Sequence, residues 1–324
     1  MEAHAAREST RRGNWRHALE SRRVLAPLLI APAVIFMVLV VGVPFIWAIY
    51  LSFTDAIGGS LSGHWVGFDN FTTAWHDDNF RRALRNTLVF TLASQAIVVV
   101  GAAVLSNFLV RDFRGKWIVR FLVVLPWAAP VVLSTITWLW LLDSLYSVVN
   151  WTLAHLHLDN FLVWLLGALH IETDAQAPLQ WLGRPNLALL AITIVHAWRI
   201  LPFAVVIFIA GRASIPTEVE DASKIDGATG LKKLWYVDVP LQLPIALVAV
   251  LFGIVFTAAD FAVVYILTHG GPFNSTQVLP TWAYAIGIDS GSLGEGAAIS
   301  LFLFPLLVVV SVAMLFFARR AQVS

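Results

Sequence analysis

Two charged side chains stand inside long apolar runs of this chain, Arg199 in "WRILPF" and Asp260 in "FTAADF". A charge at the centre of a membrane span costs on the order of 2.5–3.5 kcal/mol, so neither is expected to face lipid. Three uses are open to them. They can pair with each other or with a neighbouring subunit. They can bind a coupling ion, as in a gradient-driven secondary transporter. Or they can contact a solute. His196, Trp198 and Phe203 accompany Arg199, and Phe256 and Thr257 accompany Asp260. A pyranose has apolar C–H faces and a hydroxyl rim, so aromatic faces beside hydrogen-bonding groups suit a sugar.

Other chemistry is scarce. His155, His157 and Asp159 in "HLHLD" match no standard zinc spacing and read as a loop. There is no cysteine, hence no disulfide and no thiolate metal site. The chain lacks G-x-x-x-x-G-K-[ST], H-E-x-x-H and G-x-S-x-G. No catalytic residue, resident cofactor or metal is expected, and a membrane-embedded enzyme is disfavoured. Energy for transport must come from a gradient or from another subunit. The formal net charge of +1 says little about partners, and no nucleic-acid partner is expected.

The elements that carry these residues are apolar and long. Hydrophobic residues make up 59% of the 324 and charged residues 13%, against roughly 25% charged in soluble domains. Apolar runs cover residues 24–51, 87–110, 118–142, 187–210, 245–268 and 297–318, each near the roughly 20 residues that a spanning helix needs. The first is too long for a cleaved signal peptide and reads as a retained helix. Residues 161–171 are too few to span and read as interfacial or re-entrant. Fourteen tryptophans suit membrane–water boundaries.

Lys and Arg set the expected orientation. Sixteen fall on one side: in the N-terminal tail (Arg7, Arg11, Arg12, Arg16, Arg22, Arg23), between spans two and three, between spans four and five, and at Arg319 and Arg320. Four fall on the other side, Arg81, Arg82, Arg85 and Arg184. The expected fold is therefore an all-α integral membrane protein of about six transmembrane helices with both termini cytoplasmic. Its parts are a basic tail (1–23), a six-helix transmembrane domain (24–318) and a short cytoplasmic tail (319–324). Outer segments at 54–86, 143–186 and 269–295 are too small for catalytic domains but large enough to form a docking surface.

The connection 211–240 reads "GRASIPTEVEDASKIDGATGLKKLWYVDVP". Pro216 and Thr217 suit a helix start, with Glu218, Glu220 and Asp221 in its first turns. Asp226-Gly227 stops that helix. Leu231 to Val237 can form a second short helix ended by Pro240. By pattern alone this helix–turn–helix is as readily a plain connector as a docking element.

This segment resembles the EAA motif of the membrane subunits of ABC importers. Counted from Gly227, the motif falls on Asp221, Ala222 and Ser223, continues through Ala228, and ends at Val239-Pro240. Asp replaces Glu and Ser replaces the second Ala, which keeps the acid and the small size. "GFDNF", "NTLVFT", "FRGKWIVRFLVVLPWAAP", "WRILPF" and "VYILTHGGP" resemble the carbohydrate-uptake branch of that family, in matching order over most of residues 25–320. The resemblance implies a second homologous permease subunit. It also implies two copies of a cytoplasmic ABC ATPase that bind ATP and Mg, and an extracytoplasmic solute-binding protein. The lipid would be the cell membrane, and a coupling helix between spans four and five would receive the ATPase motion. Aligned through "LPW", the loop and "THGGP", the chain is similar to the larger membrane subunits of maltose importers. Their sugar-contacting positions fall on Trp127, Trp198, Arg199, Ile200, Phe203, Gly253, Phe256, Thr257 and Asp260. A di- or oligosaccharide is the implied solute. A glycerophosphate-type solute is the alternative, since Arg199 suits an anion while Asp260 repels it.

Overall fold

The computed structural model describes residues 22–60, 63–171, 178–228 and 230–323. The basic residues Arg7, Arg11, Arg12 and Arg16 of the expected tail lie outside the described residues. Among the described residues the regular structure is helical, with a single isolated bridge between Thr54 and Trp65.

Among the described residues, five helices are long and apolar enough to cross a bilayer. They are α1 (Leu25–Ser52), α3 (Asp78–Val110), α8 (Pro185–Ala213), α10 (Leu234–Ala258) and α13 (Leu293–Arg320). A bent pair, α4 (Lys116–Ala128) and α5 (Val131–Leu141), broken at an angle of 99°, is apolar enough to make a sixth if it is one span. Shorter helices complete the chain: α2 (Asp69–His76), α6 (Val148–His155), α7 (Asp159–Ala168), α9 (Thr217–Ile225), α11 (Ala262–Thr268) and α12 (Leu279–Tyr284).

Two spans differ from the sequence reading. Residues 118–142 were expected as one helix, but Ala129 is extended (φ −71°, ψ 141°) ahead of Pro130. A residue before proline is forced out of the helical region, so the helix breaks there. The fifth span was expected at 245–268, with Pro240 ending a separate helix. Instead α10 begins at Leu234 and passes through Pro240. A π turn over Leu234–Asp238 carries the Val239 N–H to Leu234 O, and the regular α-helical stretch resumes at Val239 with Pro240 just inside it. The span breaks later, at Ala259–Phe261, before α11 starts.

The bundle centre is α8, packed along α3, α10 and α4. Small residues allow the approach: Ala197 and Ala204 on α8 meet Val98 and Ala102 on α3. At one end Asn86 donates to the carbonyls of Ser275 (2.7 Å) and Gln277 (3.0 Å), tying α3 to the segment after α11. At the opposite end α3 and α8 finish and α4 and α10 begin, which gathers Arg120, Arg212 and Lys233 there.

Sidedness can be read chemically because the chain has no native cysteine. Cysteines replacing the exposed Asp78 and Phe273 are expected to react with an impermeant thiol reagent in intact cells. Cysteines replacing Arg114 and Lys232 are expected to react only after permeabilisation. Labelling of Arg114→Cys in intact cells would reverse the orientation.

Candidate functional site

Arg199 and Asp260 meet where the fifth span breaks. Arg199 Nη2 donates to Asp260 Oδ2 at 2.5 Å, and His196 Nδ1 lies 3.3 Å from the same oxygen. The other oxygen, Oδ1, accepts the Val263 N–H at 2.9 Å and so caps the first turn of α11. With three partners and 8% exposure, Asp260 is committed to the protein's own groups.

The network runs on into the core. His196 is fully buried, and its Nε2 lies 3.0 Å from Thr257 Oγ1. Thr257 donates to the Gly253 carbonyl (2.7 Å) and accepts from Gln95 Nε2 (3.1 Å). A Cβ at Gly253 would collide with the Gln95 amide, so glycine there lets α3 and α10 close on that bond. One chain of contacts thus joins α3, α8, α10 and α11.

In front of the network lies an open aromatic face. Trp127 stacks on Phe203 at 5.1 Å between centroids, and Phe256 sits 5.7 Å from Phe203 and 6.0 Å from Trp127. Trp127 and Phe256 are exposed within this chain. Trp198 packs edge-on against Trp138 at 5.4 Å. Only Nη2 of Arg199 is engaged with Asp260, and its Nε, although buried, meets no acceptor.

The nine expected solute positions therefore divide. Trp127, Phe203 and Phe256 form the open face, with Arg199 and Trp198 on the same span as Phe203. Asp260 lies under Arg199 and holds it. Thr257 and Gly253 lie behind, toward Gln95. Ile200 is buried in the α3–α8 core with Val98, Ala102 and Ala204, away from the face. The sequence reading missed Gln95, Trp138 and Phe252. The signal for Gln95 was an amide within the apolar run "LASQAIVVV".

The connection 211–240 holds a second cluster. α9 ends at Asp226, and Gly227 follows at φ +71°, a left-handed conformation that favours glycine. The Ala228 N–H returns to Ser223 O at 2.9 Å and closes the turn. A Cβ at Gly227 would meet no atom of this chain within 4 Å, so the bend faces open space. Asp221 and Ala222 are exposed and Ser223 is buried. Lys224 Nζ lies 2.7 Å from Asp221 and holds its carboxyl below the usual carboxylate range. Ile225 is 87% exposed and Tyr236 81%, with Val239 and Pro240 exposed nearby.

The base of this connection is pinned by a group the sequence reading did not find. Arg212, at the end of α8, donates to Asn107 of α3 and to Asp238 Oδ2 at 3.3 Å. Lys233 Nζ approaches Asp238 Oδ1 at 4.0 Å. Asp238 is buried, so the loop and three spans share one anchored joint.

These features define a polytopic helical transport subunit with an open aromatic face at span depth and an exposed helix–turn–helix at one end. A model of the family described as the binding-protein-dependent transport system inner membrane component matches residues 97–323, and the chain belongs to that family. Among its relatives is the sulfoquinovosyl glycerol transport system permease protein SmoG of Agrobacterium fabrum, 28% identical over 90% of each chain. Another is the trehalose/maltose transport system permease protein MalF of Thermococcus litoralis, 25% identical over 90% of this chain and 92% of that one. A solved structure of a bacterial alginate ABC transporter in complex with alginate pentasaccharide-bound periplasmic protein contains a chain of the same fold. Its TM-score is 0.72 at 20% identity, covering 92% of this chain and 95% of that one.

Removing one member of a buried ion pair leaves the other without a partner. Asp260→Ala is expected to destabilise the assembled complex and abolish transport. Asp260→Ala with Arg199→Met is expected to be less destabilised than the single variant. A double-mutant cycle on complex melting should give a coupling of about 1–3 kcal/mol. A coupling near zero would mean that the two charges act independently.

Proposed function

We propose that this chain is a membrane-spanning permease subunit of an ATP-driven, binding-protein-dependent importer of a sugar, and that it forms half of the translocation pathway. The observation that carries the sugar reading is the open face of Trp127, Phe203 and Phe256 near a guanidinium that Asp260 already neutralises. Aromatic rings take the C–H face of a pyranose, and the partly exposed Arg199 side chain takes its hydroxyls. A di- or oligosaccharide fits this chemistry, and the relatives named for sulfoquinovosyl glycerol and trehalose/maltose support it. A glycerophosphate-type solute fits less well, because Asp260 already balances the charge of Arg199. A secondary-transporter mechanism would need an intramembrane acid free to load an ion, and Asp260 is occupied three times over.

In this reading 211–240 is the coupling element. Asp221, Ala222, Ser223, Gly227, Ala228, Val239 and Pro240 form or support the surface that one of two cytoplasmic ABC ATPases grips. The exposed Ile225 and Tyr236 supply its apolar contact. ATP and Mg sit in the ATPases, not in this chain. A second homologous permease completes the pathway, and an extracytoplasmic binding protein delivers the solute. The cell membrane is the site of action, with both termini cytoplasmic. Nucleotide-driven closure biases a two-state bundle between inward- and outward-facing forms.

The complex reconstituted in lipid with its ATPase and binding protein tests both halves. Phe256→Ala and Trp127→Ala are expected to lower sugar uptake several-fold to about tenfold each, with complex assembly and basal ATP hydrolysis intact. Gly227→Val and Asp221→Lys are expected to preserve insertion while uncoupling uptake from ATP hydrolysis. Normal uptake by the aromatic variants would remove the sugar site. Normal coupling in the loop variants would reduce 211–240 to a connector.

A further inference from the structure

The outer segment between the third and fourth spans has no part in either site. Within it, α6 and α7 form a short hairpin. One face packs Val149, Leu153, Leu162, Val163 and Leu166 onto Leu187, Ala191 and their neighbours at the start of α8. The other face is also apolar and is uncovered. Trp164 is 66% exposed and Trp151 61%, and Phe161, Leu165 and Leu169 are exposed with them. Beyond Asp159 and Asn160 at its start, α7 is apolar on all sides, and such a helix does not leave one side in water.

We infer that this face lies in the outer boundary layer of the bilayer, against lipid headgroups and upper acyl chains. Three observations name lipid as the occupant. The first is depth. A helix of 29 residues such as α8 extends about 44 Å, whereas the hydrocarbon core is about 30 Å thick. Its ends therefore reach into the headgroup layers, and the hairpin sits on its first two turns. The second is composition. Residues 143–171 contain no Lys or Arg and only two acids, Asp143 and Asp159, while Tyr146, Trp151, Phe161 and Trp164 supply rings. Trp and Tyr prefer the boundary, where the ring is apolar and the N–H or O–H stays wet. The third is continuity. Leu133 and Trp140 on α5, which leads toward the hairpin, and Leu145 and Tyr146 after it are exposed as well, so apolar and aromatic exposure continues from the span into the hairpin. At ten residues α7 is too short to cross, so it lies along the membrane surface. The segment thereby acts as an outer float that fixes the height of α8, and with it Arg199, relative to the bilayer. It is not a docking surface for a soluble partner.

Nitroxide labels test this on the full complex in proteoliposomes. Labels are placed at Trp164→Cys and Phe161→Cys, with Leu165→Cys and Trp151→Cys as second choices should assembly fail. Leu166→Cys is the buried reference. Collision with molecular oxygen is expected to exceed collision with a water-soluble nickel chelate at all four exposed positions. Added solute-binding protein is expected to leave the signals unchanged. Nickel access exceeding oxygen access would place the face in water and overturn the inference. Protection from both at the level of Leu166→Cys, or protection that appears only with binding protein, would assign the face to a protein partner and overturn it equally. None of these outcomes depends on which solute the complex carries.

Discussion

A carboxylate and a guanidinium surrounded by apolar spans persist only when each satisfies the other, and the centre of this protein is arranged around that demand. Hydrocarbon supplies no hydrogen bonds, so irregular backbone at membrane depth must be satisfied from within. The fifth span breaks beside Asp260, and Asp260 caps the helix that resumes. The same carboxylate holds Arg199 and faces His196. His196 reaches Thr257, Thr257 accepts from Gln95, and Gly253 leaves room for the contact. Four helices are placed by one acid. A break that would be a weakness elsewhere becomes the point where the bundle is cross-linked and where its aromatic face is aimed.

The two ends of the mechanism are joined by rigid rods. Arg199 and Arg212 lie on α8, roughly 20 Å apart at ~1.5 Å per residue. Asp238 lies in the second turn of α10 and Thr257 next to its last residue. Because Arg212 binds both Asn107 and Asp238, a displacement of the 211–240 connection moves the ends of α3, α8 and α10 together. Gln95 and His196 lie near the middle of α3 and α8, and Thr257 next to the far end of α10. In the proposed coupling, a push at the loop would reach the polar network as a rearrangement of packed helices. The exposed bend at Gly227 and the buried Asp238 are complementary parts: one available to a partner, the other fixed to the bundle.

Much of this was legible in the sequence, and the failures have particular causes. Spans one, two, four and six follow from apolar length. The turn at Asp226-Gly227 follows from the left-handed conformation that glycine permits. The break at Pro130 was overlooked because hydropathy runs through it, although the residue before a proline resists the helical region. Pro240 was read as a terminator because a π turn, which shifts the hydrogen-bond register ahead of it, leaves no mark in composition. Ile200 shows the limit of carrying positions over from a family. Arg199 and Phe203 are four apart and share a helix face, whereas Ile200 is rotated by about 100° toward α3. The same spacing separates Phe252 and Phe256, toward the aromatic face, from Gly253 and Thr257, toward Gln95. Helical periodicity carried that division. The Arg212–Asp238 joint was not readable, since its members lie 26 residues apart on two elements and only the fold brings them together.

Charge balance bears on what such a site can carry. A lone arginine at this depth would hold any anion tightly, and tight holding opposes release on the far side. With Asp260 bound to it, Arg199 carries no uncompensated charge toward a solute in the proposed site. The stacked rings add a surface that attracts C–H faces through area and not through a fixed bond. Both contributions are broad and individually modest, so a solute rich in hydroxyls can be held by several contacts at once and released as they separate. In the proposed pathway, such an arrangement would favour passage over storage.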